Sequence, residues 1–300
     1  MYENSNYQIY LEQMVDFNDA LWEKHLQYRK DGIRMEIVLP GTGCVTALEP
    51  QSWDSDVLGL SAGTVSDVFH GQPLSQHEAE CLVALIEKKI KAVNLDFISF
   101  RISVTERFLL QALENFGWYE VDRLNIYSAS LNSLTESKIK SLPDQYELGD
   151  FDLDDGLAFL ESQPGLFCLS RMHMDTNIPK VKADNFYKAV FCSQYHSLTN
   201  FRVGLWRKGR LIGIAIGNVD RWLADTLNFN LGYLWLLGIS ETVRGKSLSK
   251  PLLAAFIVKA KDQLETLEIG TQIGNLAANK LYISLGFKLA ARTVTLHRWN

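Results

Sequence analysis

Positive charge is in short supply. The chain's 30 Lys and Arg are outnumbered by 35 Asp and Glu, giving a formal net charge of -5. No net positive field exists to release counterions from phosphate backbones, so nucleic acid is not an expected partner. A small anionic ligand needs only a local cluster of cations and backbone N–H groups, so that class stays open. Long apolar runs are missing too. No stretch approaches the ~20 residues of a membrane span, and residues 1–10 are polar, without the apolar core of a secretory signal. Cys44, Cys81, Cys168 and Cys192 form no C-x-x-C pair, which reads as buried thiols in a reducing, cytoplasmic setting. His25, His70, His77 and His196 lack metal-ligand spacing, so no metal site is expected. Gly41 and Gly43 are not followed by the Lys-Ser/Thr of a phosphate loop and read as a turn.

What is present suits two globular domains: 300 residues, 47% hydrophobic and 22% charged. Apolar residues recur at helical spacing from Leu11 to Leu26. A helix is predicted from Ser75, with Glu78 at capping-box spacing, to Val93. A strand over Leu95–Ile102, a helix over Thr105–Phe116 closed by Gly117, and a strand over Tyr119–Ser130 follow. The polar stretch Asn132–Gln145 marks the boundary between domains 1–135 and 136–300. Beyond it, helices are predicted from Asp155 and Pro179, then a hairpin with strands Arg202–Trp206 and Leu211–Gly217. A strand Leu231–Ser240, a helix Leu248–Leu264, a strand Glu268–Gln272, a helix Asn275–Leu285 and a strand Arg292–Trp299 complete the chain.

The two domains repeat one pattern. Phe116-Gly117-Trp118 aligns with Leu285-Gly286-Phe287 at an offset of 286 − 117 = 169 residues. Each copy runs strand, helix, Gly-aromatic, strand. The polar groups differ: Asn275 maps to Glu106, Tyr282 to Leu113, and Arg244–Ser249 to Ser75–Glu80. The first domain therefore reads as a scaffold and the second as the active one.

Two segments of the second domain carry chemistry. In the first, an apolar strand ends at Ser240 and a loop with Arg244, Gly245 and Lys246 meets a helix start. Unpaired N–H groups, the positive end of the helix dipole and two cations suit a pyrophosphate. Read alone, the loop is equally a solvated basic turn. In the second segment, Ala278 and Tyr282 share a helix face, so a ligand can pack on the small residue while the phenol reaches over it. By itself Tyr282 also reads as a core residue.

Taken together, Arg244-Gly245-Lys246-Ser247-Leu248-Ser249 and the run from Asn275 through Ala278 and Tyr282 to Gly286-Phe287 resemble the acetyl-CoA motif of the Gcn5-related N-acetyltransferases. That family's loop is Arg/Gln-x-x-Gly-x-Gly/Ala; Ser247 and Ser249 replace its small residues here, and Pro251 stands in the helix's first turn. The resemblance implies a mixed α/β fold of two tandem acyltransferase-like domains, the first degenerate. It implies acetyl-CoA as cosubstrate, with pantetheine along Leu237, Gly238 and Ile239 and against Asn275, and pyrophosphate on the Arg244–Ser249 loop. A backbone N–H near Ile239 would polarise the thioester carbonyl, and Tyr282 would act as general acid. A closer resemblance is to the TDP-fucosamine acetyltransferase group, through Trp53-Asp54-Ser55, Asp96–Tyr127, Ser170–Asp175 with Ile178-Pro179, and Leu296–Trp299. It implies a nucleotide-linked amino sugar as acceptor, with a homodimer left open. If extended, the segment from Arg171 to Asp175 sets Arg171, His173 and Asp175 on one face, as acceptor-binding groups or as a capped solvent-facing loop. His173 is also a candidate base, and Trp53 reads as core. The alternatives are another amine acceptor, or a non-catalytic acyl-CoA binder.

Overall fold

A computed structural model describes residues 35–133 and 142–300. The helix expected over Leu11–Leu26, His25 and the middle of the boundary stretch lie outside the described residues. The first part runs β1 (Met35–Leu39), β2 (Cys44–Pro50), α1 (Ser52–Leu58), β3 (Ala62–Val65), α2 (Gln76–Val93), β4 (Phe97–Ser103), α3 (Arg107–Asn115) and β5 (Tyr119–Ser130). The second runs β6 (Glu147–Gly149), α4 (Leu153–Glu161), α5 (Arg171–Met174), α6 (Lys180–His196), β7 (Asn200–Arg207), β8 (Arg210–Val219), α7 (Arg221–Leu227), β9 (Leu231–Ile239), α8 (Ser249–Ala260), β10 (Thr266–Gln272), α9 (Leu276–Leu285) and β11 (Lys288–Trp299). No helix among the described residues is long and apolar enough to cross a membrane.

Among the described residues, eleven strands join one mixed sheet, ordered β1-β2-β3-β4-β11-β5-β10-β9-β8-β7-β6. Among these strands β3/β4 and β9/β10 pair parallel and the other pairs antiparallel. The internal repeat holds at its offset: β4, α3 and β5 begin at Phe97, Arg107 and Tyr119, and β10, α9 and β11 at Thr266, Leu276 and Lys288.

The strand order shows what a linear division of the chain does not. The last strand of each half pairs with the penultimate strand of the other: β11 with β4, β5 with β10. The two last strands also pair with each other, antiparallel, at the centre of the sheet. Each half thus completes its neighbour's sheet, and no open strand edge is left between them.

Alternation along the central strands sorts side chains onto two faces. On one, Ile98, Phe100, Ile102, Val294 and Leu296 pack with α2 and α3, while Leu267 and Ile269 pack with α8 and α9. On the other, Ile214, Ile216 and Leu236 pack with Phe159 and Leu160 of α4 and Phe191 of α6. On this second face α1 packs against α6, burying Leu58, Ala183 and Phe186 together with Phe97 of β4.

One buried carboxylate ties the halves together on the second face. Oδ1 of Asp175 accepts hydrogen bonds from Tyr119 Oη (2.8 Å) and Asn177 N–H (2.9 Å). Oδ2 accepts from Trp299 Nε1 (2.9 Å) and contacts His297 Nδ1 at 2.7 Å. The donors come from β5, β11 and the turn after α5. Burial opposes the charge, but the donors from His297, Trp299, Asn177 and Tyr119 outweigh it and hold the carboxyl at about 2. His297 is fully buried. Its desolvation lowers its pKa, against the pull of Asp175, so the ring stays neutral and donates from Nδ1.

The depressed carboxyl contributes stability that is complete above its ordinary value of 3.8 and lost as pH falls through about 2. Asp175→Asn should destabilise the fold by roughly 3–5 kcal/mol at pH 7, because it leaves buried donors opposed by a donor. In urea unfolding series, the gap between wild type and variant should narrow from pH 4 towards pH 2. A gap independent of pH would exclude the carboxylate charge as its source.

Candidate functional site

The site begins where two parallel strands part. β9 and β10 are in register from Leu231/Thr266 to Leu234/Ile269, where the pairing ends. β9 continues to Ile239 along β8, and β10 to Gln272 along β5. Between them opens a wedge, edged by backbone that has no strand partner on that side. A bulge at Trp235 breaks the β8/β9 register between Leu234 and Leu236. One inserted residue reverses the alternation: Leu234 packs towards α8 before it, Leu237 and Ile239 after it, while Leu236 turns to the α4/α6 face.

Of the three residues expected along the pantetheine arm, Leu237, Gly238 and Ile239 all line the wedge. Gly238 answers to packing as well: a Cβ there would stand 2.7 Å from Leu166. The loop at the wedge mouth turns on two left-handed residues, Gly245 at φ 78° and Ser247 at φ 59°. Arg244, Gly245, Ser247 and Ser249 face the cavity. Lys246 is exposed and does not line the cavity, and Leu248 is buried in the core beneath α8. Both were expected in the binding loop; their side chains take no part in the cavity. Arg244 is held by Glu241 at 2.9 Å. The first turn of α8 has no side-chain cap, so its N–H groups face the loop.

The equivalent helix of the first half is closed. Ser75 Oγ accepts from Glu78 N–H, and Glu78 Oε2 accepts from Ser75 N–H at 2.8 Å. A carboxylate of the protein itself fills the anion position there, and β3 stops at Val65, where its pairing with β4 stops, so no wedge forms.

α9 forms the far wall. Asn275 Oδ1 caps the helix through Ala278 N–H at 3.3 Å. Asn275, Ala278 and Tyr282 line the cavity. Tyr282 is buried, edge-on to Tyr127 with ring centroids 5.7 Å apart. Burial, and then Tyr127, raise its phenol above the ordinary range, so it carries its proton at neutral pH. Asn279, absent from the sequence reading, holds the helix in place. Its Oδ1 accepts from Asn125 Nδ2 (2.7 Å) and Tyr127 Oη (2.8 Å), and its Nδ2 donates to the Gln272 and Asn275 carbonyls. Asn125 and Tyr127 lie on β5, so the first half sets the position of α9. No motif in the sequence marks a contact that depends on strand exchange.

The wedge opens through the sheet. A continuous cavity of about 1300 Å³ is lined by Tyr282 and Ala278 on the α9 face and by Asp122, Leu124 and Ile126 on the other. On β5 those three alternate with Asn125 and Tyr127, which face α9. One cavity reaches both faces because β9 and β10 are parted.

The second arm corrects the acceptor-side reading. Residues 171–174 form a helical turn, not an extended segment, so Arg171, His173 and Asp175 diverge. Only Arg171 lines the cavity. Its Nη1 donates to Ser99 Oγ (3.0 Å), and Nη2 lies 3.7 Å from Asp54. The His173 ring is buried between Ser170 Oγ (2.8 Å) and Asp184 (3.1 Å) and does not line the cavity. Asp175 is the buried tie described above. Trp53, expected in the core, is 37% exposed and lines the cavity, edge-on to Phe186. Arg101, Asp54 and Asp122 also line it, so the first half is more than a scaffold.

The GCN5-related N-acetyltransferase from Kribbella flavida is 15% identical, covering 93% of this chain and 94% of that one, with a TM-score of 0.55. A tandem GNAT protein from the clavulanic acid biosynthesis pathway is 12% identical, covering 88% and 85%, with a TM-score of 0.54. These likenesses define the fold: it is that of the GNAT acetyltransferases. Residues 169–287 match the model of the acetyltransferase (GNAT) family. The short-chain dehydrogenase adrF of Penicillium roqueforti is 34% identical over 76 residues, 23% of this chain and 30% of that protein. The chain thus spans less than a third of that curated relative. A dinucleotide-binding fold would need a doubly wound parallel sheet with a G-x-G-x-x-G loop. The chain has no such loop, and most of its strand pairs are antiparallel.

Ser247 tests the loop. A left-handed backbone costs a residue with a Cβ about 1–2 kcal/mol, partly offset by glycine's greater freedom when unfolded. Ser247→Gly should stabilise the protein by about 1 kcal/mol in thermal unfolding. A destabilised variant would show that the Ser247 hydroxyl is worth more than the backbone it strains.

Proposed function

We propose that the chain is an acetyl-CoA-dependent N-acetyltransferase that acylates the amino group of a nucleotide-linked amino-deoxy sugar. The observation that carries the proposal is the cavity through the sheet. It brings a buried, protonated phenol on one face into the same space as a polar arm on the other, with a cationic loop at its mouth. Residues 1–135 then form a degenerate GNAT-like domain and 136–300 the catalytic one. The closed capping box, the short β3 and Leu113 at the tyrosine position support that division.

The residues present fit the cosubstrate. The unpaired backbone edge of Leu237–Ile239 offers N–H and C=O groups to an amide-bearing arm and to a carbonyl oxygen. Arg244 and the uncapped N-terminus of α8 suit a pyrophosphate. Because Asn275 Oδ1 is engaged by the Ala278 N–H, the side chain offers Nδ2. Acetyl-CoA, when bound, supplies an acyl thioester open to attack by a neutral amine. Tyr282 holds a proton at Oη and donates it to the leaving sulfur. The raised pKa keeps that proton in place until it is needed.

Two alternatives are kept. An acceptor of another kind, a protein amine, polyamine or drug, is compatible with the acidic composition. A non-catalytic acyl-CoA binder is favoured by the strained Ser247 in the loop. Tyr282→Phe separates the classes: thiol release should fall at least tenfold, with acetyl-CoA affinity by calorimetry unchanged. Unchanged turnover would remove Tyr282 from the chemistry. Arg244→Ala should weaken acetyl-CoA binding about tenfold, the worth of one charge-assisted contact; normal affinity would sink the loop assignment.

A further inference from the structure

The acyl-transfer reading leaves open what the arm of the cavity on the α6 face selects, and two arginines there give an answer that rests on that reading. Arg101 stands on β4 with its side chain exposed to the cavity. Its Nε donates to Thr295 Oγ1 at 3.1 Å, and it makes no ion pair among the described residues. Arg171 approaches from α5, over the Phe186 ring and bonded to Ser99 on the same strand. Burial, and then the nearby Arg171 guanidinium, oppose the charge of Arg101, which Asp122 supports. Asp54 faces Arg171 at 3.7 Å. Like charges set together in a walled cavity are costly unless an anion lies between them, and the planar forks of two arginines suit phosphate oxygens.

The sheet register places this pair relative to the chemistry. Thr295 of β11 stands opposite Arg101 on β4 and opposite Asp122 on β5. From β10, which edges the wedge, three strand steps lead to β4, on the order of 14 Å across the sheet. The carboxylate of an α-amino acid, one carbon from its amine, cannot span that distance. A phosphate separated from the amine by a sugar ring comes much closer to doing so. Between the two ends Asp122 is 7% exposed, with Oδ1 unpartnered and the side chain at the cavity wall.

We propose that Arg101, together with Arg171, binds a phosphate of the acceptor, and that this contact restricts the enzyme to amines whose phosphate lies about a sugar ring away. Arg101 is a specificity-determining residue that takes no part in proton transfer.

The test uses the full chain saturated with CoA, so that the Arg244 loop is filled. Calorimetric titration with TDP should show binding that Arg101→Gln weakens at least tenfold. In thiol-release assays, a TDP-linked 4-amino sugar should be used with a KM at least tenfold lower than the methyl glycoside of the same sugar. Arg101→Gln should raise KM for the nucleotide-linked acceptor alone, at nearly constant kcat. Arg101→Lys, which keeps the stem and the charge, covers the case in which Gln does not fold, and should give a smaller loss of the same kind. Equal TDP binding by wild type and variant, or an equal effect on both acceptors, overturns the proposal. TDP binding that depends on Arg101 without transfer to either sugar supports the phosphate site and removes the acyl-transfer reading instead.

Discussion

The antiparallel pairing of β5 with β11 is the constraint on which the rest of the molecule depends. Each of these strands also closes the other half's sheet, so separating the halves would open three ladders at once. The exchange puts residues of the first half where the second half needs them. Asn125 and Tyr127 hold Asn279, which sets the height of α9 and with it the Tyr282 ring. Leu124 and Ile126, on the opposite side of the same strand, floor the cavity. Behind them the Asp175 carboxylate gathers donors from β5 and β11, so the central pairing is pinned by polar bonds as well as by the ladder.

The halves share an architecture and differ in small local decisions with large consequences. In the first, a capping box satisfies the start of α2 and occupies it with a carboxylate. In the second, the corresponding helix begins without a cap, behind a loop forced through two left-handed residues. Four residues of β3 remain zipped to β4, whereas β9 runs past its parallel partner and leaves a backbone edge unpaired. A single bulge at Trp235 redirects the side chains along that edge. Unsatisfied backbone is a liability for stability, and here it edges the cavity between the parted strands.

The elements were largely legible in the sequence because their causes are local. Apolar periodicity, the Ser75–Glu78 box and the glycines at 117 and 286 report on neighbours within a few residues. The repeat at an offset of 169 residues is read from such local patterns in each copy, and of the residues singled out in the second half Arg244 and Tyr282 both line the cavity. Less was legible where a side chain's direction depends on distant partners. Lys246 and Leu248 sit in the motif but turn away from the cavity. Alternation suggested that Arg171, His173 and Asp175 share a face; a helical turn separates them, and two of the three are consumed by buried pairs. Trp53, read as core, stands at the cavity wall beside Arg171 and Phe186.

The sequence by itself determined the two-fold repetition and most of the strands and helices from Ser75 onwards, since each is written in residues close together along the chain; the elements over Cys44–Pro50, Ser52–Leu58, Ala62–Val65, Glu147–Gly149 and Arg221–Leu227 were not read from it. Tertiary structure alone decided that the halves exchange their last strands, that the wedge opens to both faces, and that Arg101, Thr295 and Asp122 form one row. Strand register is set by pairing between segments up to two hundred residues apart, and a shift of one residue would send every one of those side chains to the opposite face.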